Sequence, residues 1–124
     1  MTVELKHLAP TRALSVIDLE TTGTDVRADR IVEVAVLTVY PGGKSVPFVR
    51  RVNPGRPIPP GASAVHGITD ADVAGAPGFA AVAPDLFAAL VGSDLAGFGI
   101  ATFDVPLLVH EFARAGLPFR VAGR

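Results

Sequence analysis

An apolar run ends in two acids and a polar turn in the segment Val16-Ile17-Asp18-Leu19-Glu20-Thr21-Thr22-Gly23. The run starts at residue 13 and is typical of a buried β-strand whose end reaches a functional site. Because alternate side chains of a strand lie on one face, Asp18 and Glu20 can contact one hard cation such as Mg²⁺ or Mn²⁺. Two hydrated acids at an exposed strand end would show the same spacing, since Asp-x-Glu is a common tripeptide.

The residues that follow predict a β-hairpin. Residues 30–40 are rich in Val and Ile, with Glu33 as their one acid, and predict a second strand. The tight-turn signal Pro41-Gly42-Gly43-Lys44 then predicts that the chain returns as a third strand over residues 45–52. Residues 53–61 are dense in Pro and Gly and are predicted to form an ordered loop.

The second half of the chain predicts helices around one more strand. A short helix is expected to start at Thr69, which is a good N-cap residue. Apolar residues with helical spacing predict a longer helix over residues 79–91. A short fourth strand is predicted over residues 95–100, followed by a last helix over residues 103–115 that Thr102 caps.

The order strand, hairpin, helix, strand, helix predicts one α/β domain over residues 1–124, with the fourth strand at or near an open sheet edge. Hydrophobic residues make up 49% of the chain and charged residues 19%, which supports a buried core. The chain has no cysteine, so disulfides and thiolate metal sites are excluded. Neither a secretory signal nor an apolar run of ~20 residues is present, so we expect a cytoplasmic protein without a membrane partner.

The formal net charge of −1 does not indicate a nucleic-acid-binding protein, since such proteins are usually basic. Six basic residues nevertheless fall in one early segment: Arg27, Arg30, Lys44, Arg50, Arg51 and Arg56. The favoured interpretation is that these residues lie at strand edges with their side chains in solvent. The alternative is a weak patch that faces phosphates.

The segment 16–23 closely resembles the first motif of the DEDD 3′→5′ exonucleases, the family of proofreading subunits like polymerase III epsilon. The resemblance implies a ribonuclease H-like fold, in which a mixed sheet is flanked by helices. It implies that Asp18 and Glu20 bind two catalytic metal ions, Mg²⁺ or Mn²⁺. It also implies that the following residues lie near the 3′-terminal nucleotide of a single strand: Leu19, Thr21, Thr22 and Gly23.

A second stretch, Ala96-Gly97-Phe98-Gly99-Ile100-Ala101-Thr102-Phe103-Asp104-Val105-Pro106-Leu107-Leu108, is similar to the family's second motif, in which an Asp follows an aromatic residue at a helix start. The resemblance implies that Asp104 is the third metal-binding carboxylate and that Phe103 contacts substrate. Taken alone, Asp104 reads as an ordinary first-turn acid that the helix dipole favours. The family usually carries Asn or His where this chain has Gly99, so that side-chain contact is missing.

Residues 53–69 resemble the family's connecting stretch, which implies that His66 and Ile68 lie near the substrate cleft. A lone histidine is more often a structural hydrogen-bonding residue, and we do not predict His66 to be the catalytic base. The resemblance covers residues 12–119, nearly the whole chain.

The family usually continues with another strand, one or two helices and a third motif that holds a general-base His and a last metal-binding Asp. No acid follows Glu111 in this sequence, so we expect a domain without its last strand and helices. Loss of a general base typically costs ~10²–10⁴-fold in rate, which predicts that the chain alone is nearly inactive. The resemblance also implies a polymerase or another domain as partner.

A different class of function is a non-catalytic module that keeps the exonuclease fold and binds nucleic acid or protein. Gly99 and the absent third motif favour this alternative, whereas the three acids favour the enzyme. An open strand edge and an uncovered apolar face also predict a homodimer. The motifs do not decide between DNA and RNA, because contacts to the 2′-OH cannot be read from them.

Overall fold

A four-stranded mixed sheet is the frame of the molecule, which the computed structural model describes over residues 12–97 and 99–119. Its strands are β1 (Ala13–Thr21), β2 (Ile31–Val39), β3 (Ser45–Arg51) and β4 (Ser93–Ala96). The spatial order is β3-β2-β1-β4, with β1 antiparallel to β2 and parallel to β4. Among the described strands β4 therefore lies at an edge, as the sequence predicted, and β1 lies inside the sheet.

The turn between β2 and β3 is the predicted hairpin turn. The Tyr40 N–H donates to the Lys44 carbonyl over 2.8 Å, and the Gly43 N–H donates to the Tyr40 carbonyl over 2.9 Å. Gly42 and Gly43 both adopt a φ of 97°, a conformation that is strained for residues with a side chain. The turn therefore depends on this pair of glycines, and the prediction is confirmed.

The described residues form four α-helices: α1 (Pro60–His66), α2 (Asp70–Val73), α3 (Phe79–Leu90) and α4 (Val105–Arg114). A π-helical turn over Ile100–Asp104 leads directly into α4. The backbone N–H and the hydroxyl of Thr69 both donate to the Asp72 carboxylate, over 2.9 and 3.0 Å, as in a capping box. The predicted start of the short helix at Thr69 is therefore confirmed. No helix in the described part of the chain combines the length and apolar content needed to cross a membrane.

Helix α1 corrects the predicted loop over residues 53–61, because the helix begins inside it at Pro60. Proline is well suited to the first helical position, where its missing N–H would have no helical partner. The helix ends at Gly67, whose φ of 77° lies in the left-handed region. The Pro- and Gly-rich residues 53–61 thus contain a helix start as well as a loop.

The predicted boundaries of the fourth strand and the last helix also differ from those of the structure. The strand ends at Ala96 instead of residue 100, because Gly97 and Gly99 adopt φ of 154° and 62° and leave the extended conformation. Thr102 does not cap the last helix, since it lies within the π-helical turn. The residue that precedes this turn is Gly99.

One face of the sheet packs on α3 and α4 and forms the larger core. This core contains Ile17, Leu19, Val34, Val36, Leu86, Leu107, Leu108 and Phe112, among others. The fully buried Phe112 ring lies 5.2 Å from the Phe79 ring and 4.9 Å from the Phe119 ring. A smaller cluster joins β2 to the segment of α1 and α2 through Val32, Ile58, Ile68 and Val73. The acids of β1 must therefore lie on the face opposite the larger core.

Candidate active site

The strand β1 presents Asp18 and Glu20 on the face opposite the larger core. Ile17 and Leu19 are buried in that core, and strand alternation places the two acids on the other side. Asp18 is exposed and Glu20 is half-buried. The predicted sharing of one face is confirmed.

Glu20 lies in a negatively charged environment. It pairs across the sheet with Glu33, and like charges in directly opposite positions repel. Burial, followed by the charges of Asp18 and Glu33, raises the pKa of Glu20. Arg51 compensates Glu33 through a salt bridge of 3.1 Å. A cation beside Glu20 would relieve the repulsion that remains.

Asp104 is the buried acid of the site, with 5% of its surface exposed. It ends the π-helical turn and directly precedes α4, so its backbone N–H reaches back to the Gly99 carbonyl over 3.2 Å. Burial and then the charge of Asp18 raise the pKa of Asp104 to about 6. Asp18 therefore acts on both Glu20 and Asp104, and the three acids share one electrostatic field.

Gly97 allows Asp104 to approach β1. A Cβ atom on Gly97 would lie 2.5 Å from the Ile17 carbonyl oxygen and 3.4 Å from Oδ2 of Asp104. Any other residue would force β1 away from the chain that leads to Asp104. Sequence reasoning assigned no role to Gly97, although a glycine at a strand end can signal a close approach of two backbones.

The donor set fits a hard divalent cation in its chemistry. The three acids offer oxygen atoms alone, and Mg²⁺ and Mn²⁺ prefer such ligands. Within residues 12–97 and 99–119, no group of three or more His, Cys, Asp or Glu side chains is arranged so that it could hold a metal ion. The metal-binding role of Asp18, Glu20 and Asp104 accordingly stays a prediction.

The turn after Glu20 is held by its own side chains. The buried Thr22 hydroxyl donates to Oδ1 of Asp29 over 2.7 Å and accepts from the Arg30 N–H over 3.0 Å. The Thr21 hydroxyl donates to the Gly23 carbonyl over 2.7 Å. A Cβ on Gly23 would lie 2.5 Å from Oδ2 of Asp29, which explains glycine at that position.

His66 is a structural residue that holds α1 against the end of β1. The Ile68 N–H donates to Nδ1 of His66 over 3.0 Å, so Nδ1 carries no proton. The proton is then on Nε2, which donates to the Thr21 carbonyl over 2.9 Å. Both ring nitrogens thus have partners within the chain, as a structural histidine would, and the role of His66 toward substrate stays a prediction.

The other predicted substrate contacts lie in different surroundings. The side chain of Leu19 belongs to the larger core, so its backbone alone can face the acids. Ile68 is buried in the smaller cluster, and Phe103 is half-buried against the larger core. The roles of these three residues toward substrate stay predictions.

The early basic residues do not form one surface. Arg50 lies over the Phe48 ring at 4.3 Å, whereas Arg51 pairs with Glu33 on the other face of β3. Arg30 is half-buried and its Nε lies 2.9 Å from Oε1 of the buried Glu111. Local partners thus account for these three residues and favour the interpretation of strand edges over a phosphate-facing patch.

Glu111 is the residue that sequence reasoning overlooked. It is 1% exposed and lies on α4 among the buried Leu107, Leu108 and Phe112. An acid within the apolar stripe of a helix was the available signal, because a buried charge requires a partner. Its partners, Arg30 and the Ile31 N–H, lie at the start of β2.

The family model described as an exonuclease, RNase_T, matches residues 15–118. The epsilon subunit of DNA polymerase III from Treponema pallidum is 33% identical over 101 residues, covering 82% of this chain and 46% of that protein. A polymerase III epsilon-like protein of Rhodobacter capsulatus is 47% identical over 70 residues, covering 54% of this chain and 10% of that protein. The 3′-5′ exonuclease DinG of Bacillus subtilis is 31% identical over 102 residues, covering 82% of this chain and 11% of that protein. The chain thus spans less than half the length of these relatives.

Solved structures of exonuclease I from E. coli share the fold. The complex with a dT13 oligonucleotide superimposes with a TM-score of 0.78 at 22% identity, covering 87% of this chain and 25% of that chain. The complex with a dA16 oligonucleotide gives 0.79 at the same identity, again covering 87% and 25%. The predicted ribonuclease H-like fold with a mixed sheet is confirmed.

Proposed function

The chain belongs to the RNase_T exonuclease family, and from this we propose that it is a metal-dependent 3′→5′ exonuclease domain acting on single-stranded nucleic acid. The observation that carries the proposal is the field shared by Asp18, Glu20 and Asp104. Repulsion from Asp18 contributes to the raised pKa of the other two acids, and a dication would remove that repulsion.

The three acids would hold Mg²⁺ or Mn²⁺, with Asp18 between the other two. Metal ions held there would supply activation of a water molecule and stabilisation of the leaving oxygen of the phosphodiester. Asp104 would place its carboxylate from the buried side, and Glu20 from the strand end. The backbone of residues 21–23 would orient the 3′-terminal nucleotide, while His66 holds the Thr21 carbonyl in place.

Degradation of a 5′-labelled oligonucleotide in Mn²⁺ tests the proposal. Stepwise shortening from the 3′ end is expected, at a low rate, and a 3′-terminal phosphorothioate linkage should slow it. Asp18→Asn and Asp104→Asn should each abolish the shortening, whereas Asp85→Asn on the exposed surface of α3 should not. Shortening that persists in both site variants would contradict the proposal.

Exonuclease I of E. coli has been solved with dT13 and dA16 oligonucleotides, so a deoxyoligonucleotide is the first substrate to test. An RNA strand of the same sequence then measures the preference for sugar. Two relatives are named as epsilon or epsilon-like subunits of DNA polymerase III, so association with a polymerase in proofreading is part of the proposal.

A non-catalytic binding module is the second candidate. Two observations favour it: the described acids do not complete a group that could hold a metal ion, and Gly99 offers no side chain to the site. In that case the folded protein binds a fluorescent single strand in the presence of EDTA, with no shortening in Mn²⁺. Equal binding by wild type and Asp18→Asn would support this candidate.

The predicted homodimer has no support from the comparisons and stays a prediction. Strand β4 pairs with β1 on one side, and on β3 the side chains of Val46 and Val49 are exposed. Light scattering at increasing protein concentration measures the oligomeric state. A monomer at every concentration would contradict the prediction.

A further inference from the structure

We propose that Glu111 is a positioning residue, which fixes the loop after Glu20 against the helix after Asp104. The inference rests on the proposed function and adds a residue that neither the motifs nor the three acids include. Glu111 lies seven residues after Asp104, about two helical turns, so both acids can act on the same side of the helical segment.

Both oxygens of the Glu111 carboxylate are bound at the start of β2. Oε1 accepts from Nε of Arg30 over 2.9 Å, and Oε2 accepts from the Ile31 N–H over 2.8 Å. These contacts join residues 80 and 81 positions apart in the sequence. A carboxylate that accepts one charged and one backbone donor defines both the distance and the orientation of the strand relative to the helix.

A second side chain of α4 extends the same contact. Arg114 approaches Oε1 of Glu111 to 3.4 Å and donates to the Arg27 carbonyl over 3.1 Å. It also contacts the Asp29 carbonyl at 3.5 Å. Glu111 and Arg114 together hold the loop from its middle to the first residue of β2.

The loop between β1 and β2 connects these contacts to the end of β1 that carries the acids. Its two ends are joined, because the Thr22 N–H donates to the Arg30 carbonyl over 2.9 Å. The regular pairing of β1 with β2 is interrupted between Glu20 and Thr21. Pairing with Glu33 holds Glu20 itself, and from Thr21 onward the loop contacts determine where the turn after Glu20 lies relative to α4.

An ion pair is a poor means of stabilising this core for its own sake. A well-packed apolar residue often stabilises a buried position as well as a charge does, because the buried Glu111 carboxylate must lose its water. A Leu at position 111 could continue the stripe of Leu107 and Leu108, but it could not orient the Ile31 N–H. A Glu at position 111 is therefore better explained by its orientation of Arg30 and the Ile31 N–H than by a gain in stability.

Hydrogen exchange, Mn²⁺ binding and cleavage kinetics, measured on the same proteins, test the inference. Glu111→Gln keeps an acceptor for the Ile31 N–H, Glu111→Leu removes it, and Asp94→Asn changes the exposed Arg12–Asp94 pair as a control. We expect Glu111→Leu to lower kcat by about 10- to 100-fold, the effect of a displacement near 1 Å, with KM for the oligonucleotide within about threefold. Glu111→Gln should retain more of kcat, and Asp94→Asn should match wild type.

The amides of residues 22–31 should exchange faster in Glu111→Leu than in wild type, while the amides of β3 are unchanged. The dissociation constant for Mn²⁺ should rise several-fold. If Glu111→Leu does not fold, Glu111→Gln and Arg30→Gln carry the same comparison. Wild-type exchange of the loop together with unchanged Mn²⁺ affinity in a folded variant would overturn the inference, as would faster exchange spread evenly over the whole sheet.

These readouts separate the inference from the proposed function. If wild type binds Mn²⁺ but does not shorten the oligonucleotide, the exonuclease proposal fails. Faster loop exchange with weaker Mn²⁺ binding in Glu111→Leu would still support the positioning role of Glu111.

Discussion

Two buried acids of one helical segment, Asp104 at the end of the π-helical turn and Glu111 within α4, have opposite surroundings. Glu111 gives both oxygens to donors, Arg30 and the Ile31 N–H. Asp104 makes no capping bond to its own helix and faces the charge of Asp18, which helps to raise its pKa to about 6. The comparison shows that the fold supplies two donors to Glu111, whereas it places Asp104 near a like charge.

The largest expected effect is loss of the satisfied acid. Glu111→Ala leaves the Arg30 guanidinium and the Ile31 N–H without their acceptor, which typically costs ~3–5 kcal/mol. Asp104→Ala leaves no arginine without its partner, so it should lower the free energy of unfolding much less. Denaturant unfolding of both variants at pH 7 in EDTA measures the difference. Equal losses would contradict the distinction between the two acids.

The second largest expected effect is a loss of stability when Gly97, beside Asp104, is replaced. Gly97→Ala places a Cβ 2.5 Å from the Ile17 carbonyl at a φ of 154°, so strain and overpacking should together cost ~2–4 kcal/mol. Gly42→Ala is the matched control, because its φ of 97° is also unfavourable but a Cβ there meets nothing within 4 Å. A loss no larger than that of the control would show that β1 can yield at this contact.

The third effect is stabilisation by a divalent cation. Mn²⁺ at about 100 times its dissociation constant should raise the free energy of unfolding by ~2.7 kcal/mol, because it binds the folded state. The increase should vanish in Asp18→Asn and Asp104→Asn and persist in Asp85→Asn. Thermal unfolding with and without Mn²⁺ measures it. An undiminished increase in the site variants would place the ion elsewhere.

The smallest effect is a dependence on pH. The folded state raises the pKa of Asp104 from 3.8 to about 6, so between these values it binds more protons than the unfolded state. Stability should therefore fall as pH rises from about 4 to 6 in EDTA, by on the order of 1–2 kcal/mol after allowance for solvent screening. Asp104→Asn should remove this component. Parallel stability curves for wild type and variant would contradict the assignment.

Much of the fold could be predicted because its signals are local. The strand before Asp18, the glycine turn after Tyr40 and the capping box at Thr69 each depend on residues a few positions apart. The boundaries that were wrong lie where glycine and proline have more than one meaning. Pro60 starts a helix within a loop-like composition, and Gly97 ends β4 early.

Local periodicity is sufficient to predict that Asp18 and Glu20 share one face, because successive side chains of a strand alternate between its two faces. Tertiary structure alone decided that Asp104 meets the field of Asp18 and that Glu111 meets Arg30. The physical reason is that backbone periodicity acts over a few residues, whereas the charge around a buried acid comes from segments that packing brings together. For Glu111 that partner lies 81 positions away, beyond the reach of any local pattern.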